Sequence, residues 1–258
     1  MTSSRYVLAT LAAGALAAPA WADSPDVVVS IKPIHSLVAG VMRGVGEPTL
    51  LIEGAGSPHT YSLRPSEARA IEQADVVFWV GEGLEAFLAK PLAMLASDAR
   101  LVGLGAARGV ALLPTRSGGI WQEDHDQDEA EHAEHEAHHG DAEHGHRHRA
   151  SDMHVWLDPQ NAKAMVDAIA TTLAETDPDN AGAYEGNAAR LRQELDRLDQ
   201  KLADTLAPVG DRPFVVFHDG YQYFEKRYRL NAIGSISVGP DRRPGARRLE
   251  EIRDTLEE

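Results

Sequence analysis

The chain has 258 residues, 43% of them hydrophobic and 25% charged, with 40 acids against 25 bases for a formal net charge of −15. That apolar fraction excludes a wholly disordered chain, and the acidic excess argues against nucleic-acid binding, which needs Lys and Arg to neutralise phosphates. Cysteine is absent, which removes disulfides, thiolate-bound zinc, iron–sulfur clusters, thiol catalysis and a lipid anchor on cysteine.

Residues 1–22 read as a secretory signal. Arg5 precedes an apolar run over residues 7–20, and Ala20-Trp21-Ala22 is a small-x-small cleavage pattern. The run falls short of the roughly 20 residues that span a bilayer. The expectation is an exported, soluble protein of the periplasm, not inserted in the membrane.

Behind the signal the pattern is α/β. Val27-Val28-Val29-Ser30-Ile31 is a short β-branched run of the kind found in buried parallel strands. Pro33 opens a helix with Ile34, Leu37, Val38 and Val41 on one face. Residues 49–52 read as strand, 65–73 as helix and 75–80 as the clearest strand. Residues 82–95 read as helix with a break or kink at Pro91, and 101–104 as strand. Strands alternating with helices point to a mostly parallel sheet covered on both faces.

Residues 122–149 break this pattern. They hold eight His, ten Asp or Glu and two Arg, with no Leu, Ile, Val or Phe. Such a stretch cannot bury a core and reads as a disordered, acidic His-rich loop. Order resumes at Met153-His154-Val155-Trp156-Leu157-Asp158-Pro159, followed by a helix to about residue 176. Asp177-Pro178 reads as an N-cap with Pro at the first helical position. The next helix carries Tyr184, Leu191, Leu195, Leu198, Leu202 and Leu206 on one apolar stripe. At 1.5 Å per residue it would be about 40 Å long, enough to lie against two lobes. Pro213-Phe214-Val215-Val216-Phe217-His218 then reads as strand, a helix carries Tyr221, Phe224 and Tyr228, residues 233–238 read as strand, and 247–256 as helix.

The twelve histidines fall into two groups. Eight lie in the acidic tract: His125, His132, His135, His138, His139, His144, His146 and His148. Four lie in structured sequence: His35, His59, His154 and His218. Without cysteine, a zinc site has to be built from His and carboxylate. His59 follows a candidate strand and His218 ends one, which suits ligand binding at the carboxyl ends of α/β strands. Taken singly, each His also fits a hydrogen-bonded or surface role, and His35 keeps that role.

Three segments make the reading specific. Gly56-Ser57-Pro58-His59-Thr60-Tyr61-Ser62-Leu63-Arg64-Pro65-Ser66, His154-Val155-Trp156-Leu157-Asp158-Pro159 and Phe217-His218-Asp219-Gly220-Tyr221-Gln222-Tyr223-Phe224 resemble the metal-site motifs of periplasmic substrate-binding proteins of zinc ABC transporters, the ZnuA type. The His-rich insertion and the segment from Pro240 through Pro244-Gly245-Ala246 resemble that family too. The resemblance implies two Rossmann-like α/β lobes joined by one long helix, with a metal cleft between them. It divides the chain into a signal at 1–22, a first lobe at 23–176, a linker helix at 177–208 and a second lobe at 209–258. Because family members continue further, that second lobe is expected to be C-terminally truncated.

The resemblance also gives His59, His154 and His218 as ligands of Zn²⁺, carried as the transported ion. The partners it implies are a membrane permease and its ATPase, with the protein itself a monomer. Some members carry Glu before the first ligand, where this chain has Pro58, so that carboxylate cannot contribute and the fourth position is left to water, a tract residue or a group this chain lacks. Three imidazoles favour zinc over the harder manganese, although copper would bind such a site more tightly still. The tract histidines are expected to act as weak auxiliary metal sites.

Two other functions start from the same residues. Three His plus water is also a catalytic zinc arrangement, but no His-Glu-x-x-His motif or Gly-x-Ser-x-Gly elbow supports a hydrolase. A metal buffer or adhesin without a transport partner is the third reading. The expectation is a binding protein, not an enzyme.

Overall fold

Runs of β-branched residues build the centre of the molecule. A computed structural model describes residues 24–54, 56–116, 121, 151–237 and 244–257; the expected signal at 1–22 and the His-rich tract at 122–149 lie outside them. Strands β1 (Val27–Val29), β2 (Thr49–Leu50), β3 (Val76–Trp79) and β4 (Arg100–Gly103) form a parallel sheet in the order β2-β1-β3-β4. Successive strand side chains point to opposite faces. Val27, Val28, Val29, Val76, Val77 and Phe78 are all buried, so both faces of this sheet are covered.

Helices α1 (Lys32–Met42), α2 (Pro65–Gln73) and α3 (Ala86–Leu95) follow β1, β2 and β3. The helix expected from residue 82 starts at Ala86 instead. Glu85 folds back beneath the turn, where its carboxylate accepts hydrogen bonds from Val80 N (3.0 Å), Gly81 N (2.9 Å) and Ser30 Oγ (2.5 Å). Gly81, at φ +146°, takes the backbone conformation that this turn needs. No break occurs at Pro91, which lies inside α3.

Beyond β4 come two elements that the sequence pattern did not suggest. Strands β5 (Leu113–Pro114) and β6 (Ser151–Asp152) pair antiparallel, Leu113 opposite Asp152 and Pro114 opposite Ser151. This short ladder clasps the two ends of the His-rich insertion. The expected run after it is a 3₁₀ turn, Val155–Leu157, leading into α4 (Pro159–Thr176). Asp158 caps α4 by accepting from Gln160 N at 2.8 Å.

The linker helix α5 spans Ala181–Leu206, 26 residues, preceded by a 3₁₀ turn at Pro178–Asn180. The expected N-cap is not made: the Asp177 carboxylate accepts from Asn180 Nδ2 and from Tyr184 OH, 2.7 Å away, instead of from helix backbone. The N-terminal half of α5 is fixed to the first lobe, with Tyr184 and Ala188 buried. Asn187 Nδ2 donates to the carbonyls of Val41 and Arg43, each at 2.8 Å, satisfying acceptors at the end of α1. Gly40 allows the close crossing of the two helices, because a Cβ there would stand 2.9 Å from Leu191 Cδ2. Farther along, Leu198 is exposed and the helix is tied by charge.

The second lobe consists of β7 (Pro213–His218), α6 (Gln222–Tyr228), β8 (Asn231–Ser237) and α7 (Ala246–Glu257), with β7 and β8 parallel. Asp199 of α5 joins it to the first lobe. It accepts from Arg227 Nε (3.0 Å) and Tyr228 OH (3.1 Å) of α6 and from Gln160 Nε2 (3.1 Å) of α4. The Arg227 guanidinium holds the Asp199 carboxyl below its ordinary range. The long helix is therefore held against both lobes, as its length suggested, but its apolar packing is concentrated on the first.

Candidate metal centre

His59 lies in the turn after β2, where its amide donates to Ser57 Oγ at 3.3 Å. His154 precedes the 3₁₀ turn beyond β6. His218 is the last residue of β7. These three residues, widely separated along the chain, converge. Their ring centroids are 5.5 Å (His59–His154), 6.4 Å (His59–His218) and 5.4 Å (His154–His218) apart. One nitrogen from each lies within 4.8 Å of the others, and all three side chains are half-buried. They border a cavity of about 330 Å³ whose other walls include Ile31, Ile52, Pro58 and Trp156.

The donor set is three imidazoles with no thiolate. That chemistry suits zinc and its neighbours rather than magnesium, calcium or manganese. Zn–N bonds of about 2.0–2.1 Å in tetrahedral geometry place ligand nitrogens roughly 3.3 Å apart, so a small inward movement of the rings would complete the contacts. Burial, and after it the neighbouring His154, push the His218 imidazole below its ordinary range, against the pull of Asp219 and Asp152. A neutral imidazole is the form that ligates a metal.

Asp152 is the residue beside the cluster that the motif reading missed. Its Oδ1 accepts from the His154 amide (3.0 Å) and lies 2.8 Å from His154 Nδ1. That contact leaves Nε2 as the nitrogen for the ion and fixes the ring's orientation. The buried Oδ2 of Asp152 has no hydrogen-bond partner among the described residues. An Asp two residues before a candidate His ligand was the only sequence signal. Asp152→Ala is expected to weaken zinc binding about 10–100-fold, the usual effect of losing such an orienting partner. Competition titration against a chelator measures this, and unchanged affinity would remove Asp152 from the site.

The other histidines divide as follows. His35 is structural: it sits on α1 and its Nε2 lies 3.0 Å from the Pro48 carbonyl. His125, His132, His135, His138, His139, His144, His146 and His148 lie outside the described residues. The described parts of the insertion end at the β5–β6 ladder, and β6 carries Asp152. The tract is therefore rooted beside the His cluster.

The model of the family described as zinc-uptake complex component A, periplasmic (ZnuA), matches residues 27–258. The chain belongs to the ZnuA family. The high-affinity zinc uptake system protein ZnuA of Brucella abortus (strain 2308) is 45% identical over 253 aligned residues, which cover 91% of this chain and 74% of that one. A ZnuA crystal structure superposes with a TM-score of 0.72 at 28% identity, covering 90% of this chain and 78% of the other. A zinc-bound ZnuA deletion mutant superposes with a TM-score of 0.67 at 29% identity, covering 90% and 77%. The α/β two-lobe architecture is thus that of ZnuA-type binding proteins. Among the described residues, no helix is long and apolar enough to cross a membrane.

Proposed function

We propose that this chain captures Zn²⁺ in the periplasm and delivers it to a membrane permease driven by an ATPase. The observation that carries the reading is the convergence of His59, His154 and His218, from both lobes, on one half-buried cavity. Three imidazoles hold the ion as cargo, and transport needs binding and release without bond-making. Residues 1–22 serve as the export signal, 23–176 as the first lobe, 177–208 as the linker and 209–258 as the second lobe. The eight tract histidines act as weak auxiliary sites that raise the local zinc concentration near the cleft, as a tethered second site does.

Calorimetric zinc titration of the chain without its signal tests the binding part. One tight site plus several weak ones is expected, and deleting residues 124–148 should remove only the weak ones. Absence of a tight site would defeat the proposal. A stoichiometry unchanged by the deletion would defeat the role given to the tract. Delivery is tested in cells: a strain lacking the protein should grow poorly under zinc chelation, and normal growth would favour a buffer or adhesin instead.

A further inference from the structure

The segment that follows His218, the last residue of β7, is pinned to the β5–β6 ladder by groups outside the three-histidine cluster. Arg116, two residues beyond β5, donates from Nε to both carboxylate oxygens of Asp219 (2.9 and 3.1 Å) and from Nη1 to Glu225 Oε2 (2.6 Å); its Nη2 also binds Asp219. Its guanidinium carbon lies 3.6 Å from the centre of the Trp121 ring. Only 19% of the Arg116 side chain is exposed, with 21% for Asp219 and 7% for Glu225. Nearby, Tyr223 OH donates to the Asp152 carbonyl at 2.6 Å and accepts from Leu113 N at 2.9 Å. Segment 219–225 is thereby attached to the same β5–β6 ladder whose Asp152 orients His154.

We propose that Arg116 is a positioning residue for the metal centre. By gripping Asp219 and Glu225 at once, it holds the adjoining His218 at its place beside His154 before an ion arrives. This rests on the reading of the three histidines as the zinc site. Two shielded carboxylates sharing one cation would repel each other if that cation were removed, and the loop beginning at Asp219 would move away from the ladder. Binding would then have to order His218 as well as ligate the ion, a cost that preorganisation avoids. A planar fork can bond two carboxylates in fixed directions, and a lysine ammonium cannot reproduce that geometry.

The test compares full-chain variants by zinc competition titration, Co²⁺ absorption and thermal melting without metal. Arg116→Gln is expected to lose about 10–100-fold in zinc affinity, the range typical of groups that orient ligands. Arg116→Lys should recover only part of that loss. Asp219→Asn removes one arm of the grip and should lose less, and combining it with Arg116→Gln should add nothing. The Co²⁺ spectrum of Arg116→Gln should show weakened tetrahedral bands as His218 withdraws. A purely structural role would lower the melting temperature and leave affinity and spectrum unchanged in the folded protein, which would overturn the proposal. Tighter binding with a spectrum of higher coordination would also overturn it, since Arg116 would then be withholding Asp219 from the metal. If Arg116→Gln does not fold, wild-type affinity in Asp219→Asn is the overturning result. Failure of the unmodified chain to bind zinc tightly would instead defeat the assignment of the site itself, and this proposal with it.

Discussion

Replacing any one of His59, His154 or His218 with Ala is expected to lower zinc affinity by roughly two to four orders of magnitude. Zinc held by a protein site is worth about 10–16 kcal/mol at neutral pH, and dividing that among three or four ligands leaves about 2.5–5 kcal/mol for each. The largest loss is expected at His154, whose ring is already oriented by Asp152 and so contributes ligation with the least ordering cost. The fold should persist, because each ring is only half-buried and borders a cavity rather than the core. Chelator competition reads the affinity and a melt without metal reads the fold. Tight zinc retained in one variant would remove that histidine from the site.

The second large effect is on stability. Glu85 is fully buried, and its carboxylate satisfies the buried Val80 amide, the half-buried Gly81 amide and the Ser30 hydroxyl. Glu85→Ala leaves those donors without a partner, at a cost of about 3–5 kcal/mol. Glu85→Gln keeps one acceptor and should cost less. Urea unfolding measures both, and a loss under about 1 kcal/mol for the Ala variant would show that water replaces the carboxylate. Burial also pushes the Glu85 carboxyl above its ordinary range, against the pull of its hydrogen bonds. With the folded value above the unfolded one, the native state binds more protons between the two. This group's contribution is therefore fully present below the unfolded value of about 4.3 and falls as pH rises through the window above it. The Gln variant should lack that part of the pH slope.

Much of the fold was legible because its elements are long or strongly patterned. The valine runs at β1 and β3, Pro65 opening α2, and the leucine stripe of α5 all carry a clear period or cap. The β5–β6 ladder was not legible: two residues per strand cannot show alternation, and the His-rich insertion separates them. The start of α3 was misplaced because Glu82 and Glu85 are good helix formers, whereas burial beneath the turn places Glu85 before the helix. Asp177 was read as a backbone cap, yet the phenol of Tyr184 competes for its carboxylate. At the candidate site, the motifs singled out the three histidines that the structure brings together, but spacing alone held no information on their convergence, which depends on how the lobes pack. Asp152 and Arg116 lay outside the scheme because they act through other residues, and such roles leave no periodicity to read.

The β5–β6 ladder has a consequence for how this protein can vary. Pro114 and Ser151 are paired opposite each other, so whatever chain lies between them begins and ends at one place. Where the ends of a connection are already held together, its closure cost grows only slowly with length, by about 0.6 kcal/mol for each doubling. Insertions and deletions between the two strands are therefore expected to leave the ladder, the lobes and the His59–His154–His218 cluster intact. On the function proposed above, the number of auxiliary histidines can change without rebuilding the architecture that brings those three together.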